Sequence, residues 1–156
     1  MSEPTADHPA AARWTHIALR VSDIDRTIAF YEEFTPLRLL DRREDDDGYG
    51  AWLGHPEPAE HPFILVLAQF FPDKDPFKSA PMAKLAPFAH LGIEVPERAD
   101  VDRYAAIAEA GGHLSLGPVQ MPAPIGYVCF ITDPDGNTIE YSHDQGVYAK
   151  AREVWG

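Results

Sequence analysis

Glu140 is a carboxylate placed where the sequence offers it no obvious solvent: the apolar, β-prone run Thr138-Ile139-Glu140-Tyr141. The stretch Asp133-Pro134-Asp135-Gly136-Asn137 precedes it. Pro134 presets φ and Gly136 tolerates positive φ, so these residues read as a tight turn between two strands. A carboxylate inside such a strand must meet solvent, a counter-charge or a metal ion. Two histidines are candidate co-ligands. His16 opens Ile17-Ala18-Leu19-Arg20-Val21, and His90, 74 positions later, opens Leu91-Gly92-Ile93-Glu94-Val95 at the same phase of an alternating strand. Two imidazoles and one carboxylate leave coordination positions open on a divalent cation, where a substrate with two neighbouring oxygens can chelate. Such a cation acts as a Lewis acid towards a developing enolate or oxyanion.

The elements that must position these residues run twice in the order β-α-β-β-β. In the first copy, 14–21 alternates as a strand, with Ile17, Leu19 and Val21 on one face and His16, Ala18 and Arg20 on the other. A helix follows from about Asp23 to Phe34, with Ser22 as a candidate cap, Asp25 in the first turn and a stripe of Ile24, Ile28, Tyr31 and Phe34. Pro36 stops it. Strands are expected over 37–43, 49–53 and 63–69. In the second copy, a strand over 89–95 leads into a helix opened by Pro96 and Glu97 and closed by Gly111-Gly112, with Val101, Tyr104, Ala105 and Ala108 as its apolar stripe. Strands over 113–119, 126–132 and 137–143 complete it. Prolines 72, 76, 81 and 87 break the segment 71–87 into a linker, yet Phe71, Phe77, Met82 and Leu85 expect it to pack. Residues 145–156 form a short tail helix, and 1–12 a disordered, Pro/Ala-rich lead-in. The organisation predicted is a first module over 13–70, a linker over 71–87 and a second module over 88–144.

Composition narrows the function. A net charge of −12 argues against nucleic acid as a partner, and Glu44-Asp45-Asp46-Asp47 reads as a solvated loop. No apolar run approaches the roughly 20 residues that span a bilayer. The single Cys129 lies in an apolar strand pattern, which suits a buried, inert thiol in a reducing cytoplasm. His55, His61 and His113 fall in or near loops and are given no role.

At this point the residues resemble the vicinal oxygen chelate superfamily, the glyoxalase/bleomycin-resistance/dioxygenase family. The resemblance rests on His16-Ile17-Ala18-Leu19-Arg20-Val21-Ser22-Asp23-Ile24-Asp25 with Phe30-Tyr31, on His90-Leu91-Gly92-Ile93-Glu94-Val95, and on Asp133-Pro134-Asp135-Gly136-Asn137-Thr138-Ile139-Glu140. It covers about Trp14 to Ser142. It implies an α+β fold of two βαβββ modules, forming a curved half-barrel sheet around a metal and ligand cavity, with helices outside. It also implies one divalent ion (Fe, Mn, Ni, Zn or Mg) held by His16, His90 and Glu140, with Glu140 doubling as a base. Arg20, Tyr49, Gln69 and Tyr127 are candidate residues around that shell. The substrate would be a small, partly apolar molecule with adjacent oxygens, and the protein a homodimer, neither membrane-bound nor bound to nucleic acid. Lyase, isomerase and oxygenase chemistry all stay open. The alternative is a non-catalytic, bleomycin-resistance-like drug-binding protein of the same fold. The chain departs from the family's four-ligand pattern in Phe63-Ile64-Leu65-Val66-Leu67-Ala68, which carries no carboxylate. It departs from the ring-cleaving dioxygenases in having Phe130 where they carry Tyr.

Overall fold

The computed structural model describes residues 14–57, 63–77 and 82–156; the lead-in over 1–12 and His61 lie outside them. The first module is β1 (His16–Arg20), α1 (Ile24–Phe34), β2 (Arg38–Asp45), β3 (Gly48–Gly54) and β4 (Ile64–Phe70), with sheet order β1-β4-β3-β2. The second is β5 (Leu91–Glu94), α2 (Arg98–Ala110), β6 (Leu114–Gln120), β7 (Tyr127–Thr132) and β8 (Thr138–His143), with order β5-β8-β7-β6. A tail helix α3 (Val147–Trp155) follows. The two-module α+β fold expected from the sequence is present as two open four-stranded mixed sheets. No helix among the described residues is long and apolar enough to cross a membrane.

The repeat is exact in register. β1 runs parallel to β4 with Ala18 opposite Val66, and β5 runs parallel to β8 with Gly92 opposite Glu140. The offset that relates His16 to His90 therefore carries Val66 onto Glu140. Strands β1 and β5, the ones that follow the histidines, are both sheet edges.

Alternation decides which side chains enter the core. Leu19, Val21, Leu65, Leu67, Ala51 and Leu53 face α1, while Cys129, Ile131, Ile139 and Tyr141 face α2. Both sets belong to one buried cluster, because the helix-bearing faces of the modules pack towards each other. Helix α1 covers the first sheet as expected and also meets the second module. It buries Ile24, Thr27, Ile28, Phe30, Tyr31 and Phe34, an arc wider than the predicted stripe, since it has a partner on two sides. Each such apolar side chain contributes about 1.5–3 kcal/mol by leaving water. Asp23, not Ser22, caps α1, accepting from the Arg26 backbone N–H. Glu97 and Asp100 form a capping box at the start of α2.

The Asp-Pro-Asp-Gly-Asn turn does more than reverse the chain. Asp133, buried, accepts from the backbone N–H groups of Asp135 and Asn137 and from the Asn137 amide. Its other oxygen also accepts from Tyr31 Oη on α1 at 2.8 Å. Asp135 accepts from the Ser22 hydroxyl at 2.5 Å. Asn137 Oδ1 accepts from Leu85 N, and Leu85 O accepts from Thr138 N, so the end of the linker is stitched to the same turn. Tyr141 Oη donates to Phe34 O from the other side of the joint. The modules are thus bolted together by a buried polar cluster as well as by apolar packing.

Candidate functional site

Glu140 projects from β8 on the face away from α2 and is 5% exposed. His90 stands just before β5, and its Nε2 lies 3.7 Å from Glu140 Oε2. The imidazole is oriented by its other nitrogen, since His90 Nδ1 sits 2.6 Å from the Phe88 carbonyl, which can only accept. Nδ1 therefore donates to that carbonyl, and Nε2 is the ring atom turned to the carboxylate. The gap between Nε2 and Oε2 is too long for a hydrogen bond. Metal bonds of about 2.1 Å from each atom would span it, and a ligating histidine with its second nitrogen on a backbone carbonyl is how proteins hold divalent ions. The donor set fits a borderline cation such as Zn or Ni, or an Fe(II) or Mn(II) site with additional oxygen ligands.

The surroundings of this pair are partly aromatic. Phe130, the β7 residue paired with Glu140, has its ring 5.8 Å from that of His90, and Phe88 stands 6.2 Å away on another side. Gly92, beside Glu140 in register, has nothing within 4 Å of where a Cβ would lie.

The third candidate, His16, is not part of this group. It is exposed at the start of β1 and shares a 2.7 Å hydrogen bond with Thr15 Oγ1. Among the described residues no three His, Cys, Asp or Glu side chains come close enough to hold a metal ion within one chain. A cavity of about 780 Å³ lies elsewhere, on the helix side of both edge strands, lined by Ile17, Tyr31, Leu65, Leu91, Ile93 and Ile139. None of His16, His90 and Glu140 lines it.

The other four candidates are engaged away from Glu140. Tyr49 shares the core face of β3 with Ala51 and Leu53, stacked edge-on to Phe71 and under Arg42. Gln69 lies on the core face of β4, where Oε1 accepts from Ile24 N at the start of α1. Tyr127 faces α2, donating to Asp102 beneath the Arg98 guanidinium, and that bond raises its pKa. For these three the strand period of two places the side chain on the wrong face. Arg20 does share the His16 face, but its ion pair at 3.2 Å is with Asp75 of the linker. Glu94, on the same face of β5, accepts from the backbone at the start of α3.

Cys129 is buried as expected, and burial pushes its thiol up to about 11, which removes it as a nucleophile. His113 stands in the short connection before β6 and is half-buried. Its ring packs edge-on to both Phe30 and Phe34, adding to the contact between modules. Phe88 and Gln145 were not singled out by sequence. The first sits in a stretch with no periodicity, and the second in a tail whose path only the fold defines.

Residues 13–141 match the sequence profile of the Glyoxalase/Bleomycin resistance protein/Dioxygenase superfamily. An uncharacterised protein of Pseudomonas aeruginosa is 38% identical over 84% of this chain and 88% of its own length. A lactoylglutathione lyase of Haemophilus influenzae is 31% identical over 81% of the chain and 88% of its own length. Among solved structures, glyoxalase I of Zea mays superposes with a TM-score of 0.64 at 26% identity, over 83% of this chain and 43% of that one, so the chain spans less than half of it. An antibiotic-binding protein of a Streptomyces species shares the fold at a TM-score of 0.60 and 24% identity, over 87% of this chain and 98% of that one. By the extent of the profile match and of the closely aligned sequences, the chain belongs to the glyoxalase/bleomycin resistance/dioxygenase superfamily.

Proposed function

We propose that this chain is a divalent-cation-dependent lyase or isomerase of glyoxalase type, acting on a small, partly apolar substrate with adjacent oxygens. We further propose that its site is completed by a second copy of the chain. The observation that carries the reading is the facing pair His90 Nε2 and Glu140 Oε2, with the His90 proton committed to the Phe88 carbonyl. His16 is the third ligand, supplied by the other copy. Support for that comes from the open edges of β1 and β5 and from the separation of His16 from the His90–Glu140 pair within one chain.

A bound cation would supply Lewis-acid stabilisation of charge developing on the substrate oxygens. The chain's own residues do the rest. Phe130, paired with Glu140 across the hairpin, excludes water from one side of the carboxylate. Glu140 takes a proton from the substrate carbon next to a carbonyl and returns it to the neighbouring carbon. Val66 stands where the first module would have to supply a second acid, so one carboxylate serves both transfers. The lactoylglutathione lyase relative, 31% identical, supports a lyase as the reaction class.

Elemental analysis of untagged protein, beside a variant lacking His16, His90 and Glu140, tests the reading. Near-stoichiometric metal lost in the variant is expected, and its identity selects the assays: nickel, zinc or manganese for lyase and isomerase substrates, iron for catechols and oxygen uptake. No uptake of any cation after incubation would overturn it. A second reading, a drug-binding protein without catalysis, draws on Trp52, which is 43% exposed on the His16 face with Arg43 above it. Binding of an aromatic drug that survives a chelator would favour that one.

A further inference from the structure

The C-terminal segment folds back over the face that carries Glu140. β8 ends at His143, and the chain then turns through two left-handed residues, Asp144 (φ 70°) and Gly146 (φ 78°). Gly126 makes room for this turn, because a Cβ there would meet the His143 carbonyl oxygen at 2.3 Å and the backbone of Asp144 and Gln145 just beyond. Gln145, between the two left-handed residues, extends its amide to the carboxylate, and Nε2 donates to Glu140 Oε1 at 2.8 Å. Helix α3 starts at the next residue but one. Gly146 has no side chain with which to cap it, so Glu94 of β5 does so, accepting from Gly146 N at 2.9 Å and Tyr148 N at 3.1 Å. No residue of α3 is buried. The segment is held on the sheet by its polar anchors, one of which is the candidate ligand itself.

From this we infer that Gln145 is the positioning residue of Glu140. Resting on the metal reading above, the role is specific. The amide occupies Oε1, locks the carboxylate rotamer, and leaves Oε2, the oxygen facing His90 Nε2, as the one presented to the cation. A primary amide suits this task because it donates without carrying charge, so it fixes the carboxylate without competing for its electrons as a lysine or arginine would. Gln145 lies beyond the residues matched by the superfamily profile, which end at 141.

The test uses the full-length, metal-stripped chain as wild type, Gln145→Ala and Gln145→Glu. Zn(II) and Ni(II) affinities are read by competition with a chromophoric chelator, and the unfolding temperature of each metal-free protein is read alongside. Gln145→Ala is expected to weaken cation binding about 10- to 100-fold, the usual cost of removing a group that orients a ligand. Its metal-free unfolding temperature should stay within about 3 °C of wild type. Gln145→Glu, which cannot donate and adds a charge beside Glu140, should not restore the affinity. A purely structural role would lower the unfolding temperature and leave the affinity alone. A second readout is independent of metal: in the 15N-labelled metal-free protein, Glu140→Ala should shift the Gln145 side-chain amide signals. Wild-type uptake with Gln145→Ala binding within twofold of it overturns this inference alone. So do Gln145 amide signals that ignore Glu140→Ala. A wild-type chain that takes up neither cation overturns this inference together with the metal reading.

Discussion

The two modules are built on one plan and differ where chemistry is expected. On the core side they are near copies: Ile17 and Leu19 correspond to Leu91 and Ile93, and Leu65 and Leu67 to Ile139 and Tyr141, each pair set by the same parallel register. On the opposite face the copies part. The first module places His16 and Val66, and the second places His90 and Glu140. The core faces differ at one matched pair, for Gln69 caps α1 while His143 keeps a buried Nδ1 with no partner among the described residues. The skeleton is constrained twice over by packing, so it tolerates little change. The exposed face of each sheet is constrained only by what it binds, and there one copy has become apolar and the other ionic. The difference makes the proposed site asymmetric: in that reading one module lends a single imidazole, and the other supplies an imidazole and the acid.

That asymmetry sets the largest expected effect. Glu140→Ala should reduce cation affinity more than 100-fold, by removing a first-row ligand from a buried position, whereas Val66→Ala should leave it within about threefold. Val66→Glu sharpens the comparison. It restores the symmetry and should tighten cation binding about tenfold or more if the two faces meet in one site. Equal losses from Glu140→Ala and Val66→Ala in the same titration would erase the distinction.

The joint between modules comes next. Asp133→Ala leaves the Tyr31 hydroxyl and two backbone N–H groups without their acceptor in a buried place, and should cost about 3–5 kcal/mol in urea unfolding. Tyr31→Phe should cost less, about 1–2 kcal/mol, since only one bond is lost. If either change melted one module and left the other folded, the two would not share a core.

A pH dependence follows from the same joint. Burial and the neighbouring Asp133 raise the pKa of Tyr31, and burial raises that of Tyr141. Unfolded tyrosine ionises near about pH 10. Above that pH the unfolded chain has released protons that the folded chain still holds, so stability must fall as pH rises. It should be unaffected by these groups below about pH 9 and decline beyond pH 10. Tyr31→Phe should flatten that decline in a series of denaturation curves. The smallest effect belongs to the surface: Asp25→Ala, which frees Arg42, should change stability by no more than about 0.5 kcal/mol.

Much of the fold was legible because the alternation of Ile17, Leu19 and Val21 and of Leu91, Ile93 and Val95 is unambiguous, and because proline and glycine mark the ends of the elements. The closeness of His90 and Glu140 followed from strand phase and family resemblance together. Strand register was not legible, and it decided the remaining candidates. Tyr127 is in phase with Cys129 and Ile131, and only the packing shows that this face meets α2, away from Glu140. Gln69 shows the same limit, being one residue out of phase with Val66. The separation of His16 from the other two ligands depends on how the modules pack, and that depends on the Tyr31–Asp133 joint, whose members lie 102 positions apart in the chain. The role of Gln145 needed the path of a segment with no periodicity at all.

The claim that one site is shared between two copies can be tested by mixing. His16→Ala and Glu140→Ala chains, each metal-free, are unfolded together, refolded together and titrated with a cation. Each variant alone should bind none. In the mixture half of the dimers pair one chain of each kind, and each such dimer rebuilds one intact site from the intact His16 of one chain and the intact Glu140 of the other. Binding should then return to about a quarter of the wild-type amount. A mixture that forms the mixed dimer yet binds no cation would contradict the account and place all the ligands within a single chain.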